Sequence, residues 1–261
     1  MNVKVVNNSW ELITITSDKN NSGSDADVFV RIWFGSQVSN EVHLNPLDSF
    51  HDNVFQRSYF DNFAFQTTAD TSETPSPTAI EFRHRGSDAW TGNKALLTER
   101  NTGEIYEIRD GDFTVDNASN ITLPLTRCQK NLPGNPMPAC DLFSITVETS
   151  AANDAGTNDT ILIKLVSYDG FSHMLSTLDT PGLNNFKPGS QNFFELSPEK
   201  PLRKIAYVLI FKGSTDGWLM NSCNAASLSL TPDPYPDTTV INSANIWLDS
   251  GVGYLNYHKF E

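Results

Sequence analysis

Apolar and polar residues alternate with a period of two along much of the chain. In Val28-Phe29-Val30-Arg31-Ile32-Trp33-Phe34 one face carries Val28, Val30, Ile32 and Phe34, and Ile161, Ile163 and Leu165 repeat that face in the second half. Successive side chains of a strand point to opposite sides, so this spacing predicts strands with one side in a core, and Trp33 falls on the outer side. Ile80-Glu81-Phe82-Arg83 and Ile205-Ala206-Tyr207-Val208-Leu209-Ile210-Phe211 read as later strands, the second more fully buried. No stretch of about twelve residues keeps a helical period between breakers. Short strands separated by Gly, Asn, Asp, Ser and Pro predict an all-β chain of antiparallel sandwiches.

The pattern also repeats in order. Asn117-Ala118-Ser119-Asn120-Ile121-Thr122-Leu123 returns as Asn242-Ser243-Ala244-Asn245-Ile246-Trp247-Leu248, and Ile13-Thr14-Ile15 as Ile145-Thr146-Val147. Gly23-Ser24-Asp25 before Val28 returns as Gly156-Thr157-Asn158 before Ile161; Leu47-Asp48 with Asn53 and Phe55 returns as Leu178-Asp179 with Asn184 and Phe186; Trp90 returns as Trp218. A duplicated unit follows. The expected division is a sandwich over residues 1–126, a Pro-rich connector over 127–140 and a second sandwich over 141–261. Two units of this size can each bury a core.

Charge then narrows the function classes. A net charge of −13 excludes simple electrostatic attraction to nucleic acid or to anionic lipid, although a divalent cation could bridge to the latter. No apolar run approaches the roughly 18 residues needed to span a bilayer. The first residues do not read as a secretory signal. Cys128 and Cys140 flank the Pro-rich segment and could close a disulfide loop in an oxidising compartment, leaving Cys223 a buried thiol; equally, all three could be reduced small hydrophobes.

Asp154-Ala155-Gly156-Thr157-Asn158-Asp159 before a strand, Leu178-Asp179 through Phe186 to Gly189-Ser190, and then Gly217-Trp218 resemble the PLAT/LH2 domain family. Asn245-Ile246-Trp247-Leu248 resembles its closing strand, and Thr102-Gly103-Glu104-Ile105-Tyr106-Glu107-Ile108 a late strand. The first half fits more loosely: Gly23-Ser24-Asp25-Ala26-Asp27-Val28 matches the opening turn, but Ser58-Tyr59 stands in place of Gly-Ser. The resemblance implies two consecutive eight-stranded antiparallel sandwiches and a non-catalytic module that docks onto membranes or proteins, often with calcium. Trp90, Trp218 and Trp247 would then be packing residues.

By the same resemblance, a Ca2+ site in the second copy would use Asp154, Gly156, Asn158 and Asp179, with Asn184 beside them. In the first it would use Asn21, Gly23, Asp25 and Asp48, with Asp27 and Asp52 nearby. Ca2+ takes six to eight oxygen ligands, which Asp- and Asn-rich turns can offer. The same residues are also ordinary turn formers. Asn158 stands where the family has Asp, which lowers the charge of that site. Phe50 and Phe171 lie in loop-like surroundings and are the candidate membrane contacts, with packing beneath the loop as the other reading.

Catalysis finds no support in motif spacing. The histidines, His43, His51, His84, His173 and His258, show no metal-ligand spacing, and neither a nucleophile elbow nor a phosphate-binding glycine loop occurs. His84, between Arg83 and Arg85, reads as part of a solvated face. Asn-x-Ser/Thr acceptors at Asn7, Asn20, Asn117, Asn120 and Asn158 matter only on a eukaryotic secretory route. The expectation is a monomeric binding protein that presents two loop ends to a lipid surface with Ca2+, the two weak sites adding avidity. The alternatives are a protein–protein module of a secreted toxin, virulence or stress-response system, and a sugar-binding sandwich using Trp33.

Overall fold

The computed structural model describes residues 4–48, 54–57, 59–71, 76–108, 111–116, 120–129, 139–179, 185–212, 216–228, 238–241, 246–248 and 257–260. The chain divides into two compact units, Met1–Arg127 and Cys128–Glu261. Among the described residues regular structure is strand, apart from one 3-10 turn at Asn45–Leu47.

Unit one contains β1 (Lys4–Thr16), β2 (Asp27–Phe34), β3 (Gln37–Val38), β4 (Val42–His43), β5 (Phe60–Thr71), β6 (Ala79–Arg85), β7 (Trp90–Glu99), β8 (Ile105–Glu107), β9 (Phe113–Val115), β10 (Ile121–Pro124) and β11 (Thr126–Arg127). Unit two contains β12 (Phe143–Thr149), β13 (Ile161–Ser167), β14 (Ser176–Thr177), β15 (Gln191–Leu196), β16 (Ile205–Lys212), β17 (Trp218–Ser227), β18 (Thr238–Ile241), β19 (Ile246–Leu248) and β20 (Tyr257–Phe260). In unit one the sheet order is β11-β8-β7-β1-β5, with β9 also on β7, against β10-β6-β2-β3, with β4 also on β2. In unit two it is β15-β12-β17-β18, with β19 also on β17, against β14-β13-β16-β20. Every one of these pairings is antiparallel.

Each unit closes one core between its two sheets. The alternation in β2 places Val28, Val30, Ile32 and Phe34 inward with Trp10, Leu12, Phe63, Phe82 and Trp90. The equivalent core of unit two holds Ile145, Val147, Ile161, Ile163, Leu165, Val208, Ile210 and Trp218. Trp33 is half-buried on the outer side of β2, where its Nε1–H donates to Glu81 Oε2 at 2.9 Å.

Several contacts recur in the two units. Trp90 Nε1–H donates to Thr16 Oγ1 at 2.9 Å, and Trp218 Nε1–H to Thr149 Oγ1 at 3.1 Å. Both threonines end a strand at a register shift, Thr16 opposite Gly92 and Thr149 opposite Met220. Phe55 and Phe186 both sit at positive φ, 57° and 59°, and pack on those tryptophans at 4.8 and 5.1 Å between ring centroids. A bulky residue there is strained by about 1–3 kcal/mol, which the buried aromatic pair offsets.

These contacts also correct the repeat as read from sequence. Ile121–Pro124 pairs with β6, whereas Ile246–Leu248 pairs with β17, so the longest echo joins strands of different sheets. The equal of β19 is β9, which meets Trp90 as β19 meets Trp218. Ile145 matches Leu12 rather than Ile13: both are core residues, opposite Ala225 and Leu97, and a slip of one residue reverses the face. Leu178 matches Leu44 rather than Leu47, because Leu44 N–H donates to Val28 O at 2.9 Å as Leu178 N–H does to Ile161 O at 2.8 Å.

Two further readings change, and the one left open for the cysteines closes. His84 is buried, not solvated: it lies opposite Val28 on the inward face, with Nε2 3.2 Å from Ser24 Oγ. Trp247 is 38% exposed instead of in the core. Cys128, Cys140 and Cys223 are all buried thiols; Cys140 Sγ donates to Leu142 O at 2.9 Å, and burial pushes the Cys223 thiol up to about 12. His173, whose Nδ1 accepts the Leu165 N–H at 3.1 Å, is held down to about 3 by burial and by the nearby Lys164 ammonium.

Candidate docking site

The sequence placed its metal candidates in two loops of each copy, the turn that follows the first strand and the later loop that begins Leu-Asp. In unit two, β12 ends at Thr149 and the chain returns toward the core through Ala155, whose carbonyl accepts Leu219 N–H at 2.9 Å. Asp154 is exposed at φ 60°, and Asn21 holds the same position in unit one at φ 61°. Asn and Asp tolerate the left-handed region better than other side-chain-bearing residues, so backbone conformation accounts for both. Gly156 lies against the second loop: a Cβ there would meet Pro188 Cδ at 2.7 Å and Phe186 O at 2.8 Å. At Gly23 the same atom would meet Arg57 N at 3.0 Å and Phe55 O at 3.1 Å. Thr157 N–H donates to Phe186 O at 3.1 Å, and Ser24 N–H to Phe55 O at 3.0 Å, so each turn is fastened to its neighbouring loop.

The fastening opens a polar cavity in unit two of about 330 Å3, lined by Thr157, Asn158, Asp159, Thr177, Asp179 and Asn185 among others. Asn158 and Asp179 therefore share one pocket, which Asp154 and Gly156 do not line. Asp179 is exposed and its Oδ1 accepts from Asn185 Nδ2 at 3.1 Å. Asp159 is already neutralised: its Oδ2 lies 2.9 Å from the buried Lys212 Nζ and also accepts Asp216 N–H at 3.0 Å. Asp216 Oδ2 in turn accepts Asn158 N–H at 2.8 Å. Lys212 stands opposite Ile161 on the inward face, the place that His84 takes opposite Val28.

Unit one does not gather its four candidates in the same way. Asn21 and Asp25 are exposed on the opening turn, and Asp25 Oδ1 accepts from Gln56 Nε2 at 3.3 Å. Asp48 instead bridges to Phe63, with Oδ1 accepting Asn62 N–H at 2.7 Å. The true counterpart of Asp179 is Asn45, whose Oδ1 accepts Val28 N–H at 2.8 Å and whose Nδ2 donates to Ala26 O at 3.1 Å. Asp27 Oδ1 lies 2.9 Å from His43 Nε2.

The donor sets among the described residues do not suit Ca2+. The described lining of the unit two pocket includes two carboxylates, Asp159 and Asp179, and one of them already faces an ammonium. Among the described residues no group of three or more His, Cys, Asp or Glu side chains is arranged to hold a metal ion. A calcium shell asks for six to eight oxygens and draws its affinity from the number of charged ligands.

Of the two apolar contact candidates, Phe171 is half-buried and packs on the unit two core, and Phe50 lies outside the described residues, as do Asn184 and Asp52. Among the described residues at this end, Trp247 is an exposed aromatic. It stands opposite Leu219, the residue tied to the Ala155 carbonyl.

Comparison with known proteins gives this site its context. The PLAT/LH2 domain family matches residues 143–250. Residues 143–250 form a PLAT/LH2 domain. The chain is also similar to lipoxygenase homology domain-containing protein 1 of Mus musculus, 22% identical over 250 residues that cover 94% of this chain and 11% of that protein. The Homo sapiens protein of that name is 20% identical over the same shares. The chain thus spans about a tenth of the length of these relatives. Among solved structures, coral 8R-lipoxygenase, described as activated by calcium through a C2-like domain, matches at TM-score 0.38 and 16% identity over 48% of this chain and 18% of its own. The alpha toxin of Clostridium absonum matches at 0.39 and 19% over 50% of this chain and 33% of its own. At such scores neither bears on function.

Within the PLAT domain, sequence reasoning missed Lys212 and Trp247. Lys212 sits in an apolar run that reads as plain strand, and its only sign was a lone cation ending an inward-facing alternation. Trp247 follows a packing motif, and only the register of β19 against β17 turns it outward.

Proposed function

We propose that the chain is a non-catalytic binding protein that docks onto lipid surfaces through the loop end of its PLAT/LH2 domain, with unit one a second copy of that domain. The observation that carries the reading is Trp247, a half-exposed indole at the end where the polar pocket of Asp179 and Asn158 opens. Indoles favour the boundary between hydrocarbon and water because one edge is apolar and the N–H is polar. The repeated tryptophan–threonine and phenylalanine–tryptophan contacts of the two units support the second copy.

Sedimentation of the full chain with phosphatidylcholine vesicles tests this. The protein is expected to pellet with vesicles, and Trp247→Ser to weaken binding about tenfold or more, since burying an aromatic side chain contributes roughly 1.5–3 kcal/mol. Absence from the pellet, or binding indifferent to Trp247, would count against the reading. Capture of a protein partner without any vesicle binding would favour a protein–protein module.

A further inference from the structure

We infer that each loop end carries an internal brace, Lys212 at the turn nominated for Ca2+ in unit two and Asn45 beside the opening turn of unit one, so that docking needs no Ca2+. The inference rests on the docking reading above and adds how that site is held together. In unit two the Lys212 ammonium and the Asp159 carboxylate, 2.9 Å apart, join the end of β16 to the opening turn. Asp159 Oδ2 also takes the Asp216 N–H at 3.0 Å, and Asp216 Oδ2 takes the Asn158 N–H at 2.8 Å. Three segments are thus gathered round one positive charge, as a divalent ion gathers loop oxygens. Lys212 is fully buried and reaches this point from the core face of its strand, so the charge is a fixed part of the fold and not a surface cation that comes and goes.

Unit one reaches the same end with a neutral group. Asn45 occupies the position of Asp179 and bonds twice to the start of β2, through Oδ1 to Val28 N–H and through Nδ2 to the carbonyl of Ala26 just before the strand. At the place of Lys212 it has His84, 3.2 Å from Ser24 Oγ. An amide that accepts on one side and donates on the other fastens the turn without bringing a charge of its own.

The test uses the full chain freed of metal with chelator and titrated with CaCl2 by calorimetry. The wild type is expected to give no binding heat up to about 1 mM, the weak end of protein calcium sites. Lys212→Met releases Asp159 and is expected to bind Ca2+ at least about tenfold more tightly than the wild type; the further change Asp159→Asn removes the gain. A wild-type site tighter than that limit and lost in Asp179→Asn overturns the inference, as does a folded K212M that gains nothing. Where K212M loses its near-ultraviolet circular dichroism, the wild type decides through vesicle pelleting in EGTA against CaCl2: equal pelleting supports the brace, and pelleting only with calcium overturns it. No pelleting in either buffer defeats the docking reading, while the calorimetric result still judges the brace.

Discussion

Gly156→Ala places the tightest contact of the candidate site under load. The added Cβ would lie 2.7 Å from Pro188 Cδ, 2.8 Å from Phe186 O and 3.2 Å from Pro188 N, all ring or backbone atoms without a rotamer to escape into. Overpacking of this kind costs about 1–3 kcal/mol. Separating the two loops also stretches the Thr157 N–H to Phe186 O bond, 3.1 Å long, which contributes about 1 kcal/mol. Alanine offsets roughly 0.4–1 kcal/mol of this by narrowing the unfolded ensemble. A net loss of about 1–3 kcal/mol follows, or a fall of about 1 M in the urea midpoint of unit two for a slope near 1–3 kcal/mol/M. Urea unfolding followed by near-ultraviolet circular dichroism measures it. Gly23→Ala, with nearest contacts of 3.0 and 3.1 Å, should cost less. A Gly156→Ala protein within 0.5 kcal/mol of wild type would refute the described packing of turn on loop.

His173 carries a pH prediction. Its folded pKa of about 3 lies below its ordinary 6.5, so between those values the unfolded chain binds a proton that the native state does not. This share of stability is complete above pH 6.5 and lost as pH falls, by up to about 1.4 kcal/mol per unit; His173→Gln should flatten the urea midpoint between pH 7 and 5. The raised pKa and full burial of Cys223 predict that Ellman's reagent leaves it unlabelled at pH 8 until urea unfolds unit two, and rapid native labelling would contradict that. Trp90→Phe and Trp218→Phe each remove a buried indole bond to threonine, so both should destabilise their own unit by about 1–3 kcal/mol; a large cost in only one unit would show that the matched bonds do unequal work.

Strand content and the inward face of β2 and β13 were legible because alternation is a local property that burial enforces. A division into two units was legible too, but several anchors of the proposed repeat were not. Ile121–Pro124 and Ile246–Leu248 look alike because both are short Asn-led strands, yet hydrogen bonding assigns them to different sheets. Leu47-Asp48 copies Leu178-Asp179 in letters, while the backbone bonds of Leu44 and Leu178 define the true match. The pocket shared by Asn158 and Asp179 followed from turn chemistry and resemblance. Its neutralisation by Lys212 did not, because a partner 53 residues away can be read only once β16 is placed beside β13. His84 deceived in the same way: flanking arginines suggest solvent, but the pleat turns the middle residue inward.

Hydrogen exchange of the full chain in EGTA, with and without phosphatidylcholine vesicles, addresses most directly where the protein meets a lipid surface. The account predicts that vesicles slow exchange at residues 154–160, 177–179 and 246–248 and leave the amides of Ser144, Thr146 and Phe193 unchanged. Slowing confined to the strands, or no change anywhere on vesicles that bind the protein, would contradict it.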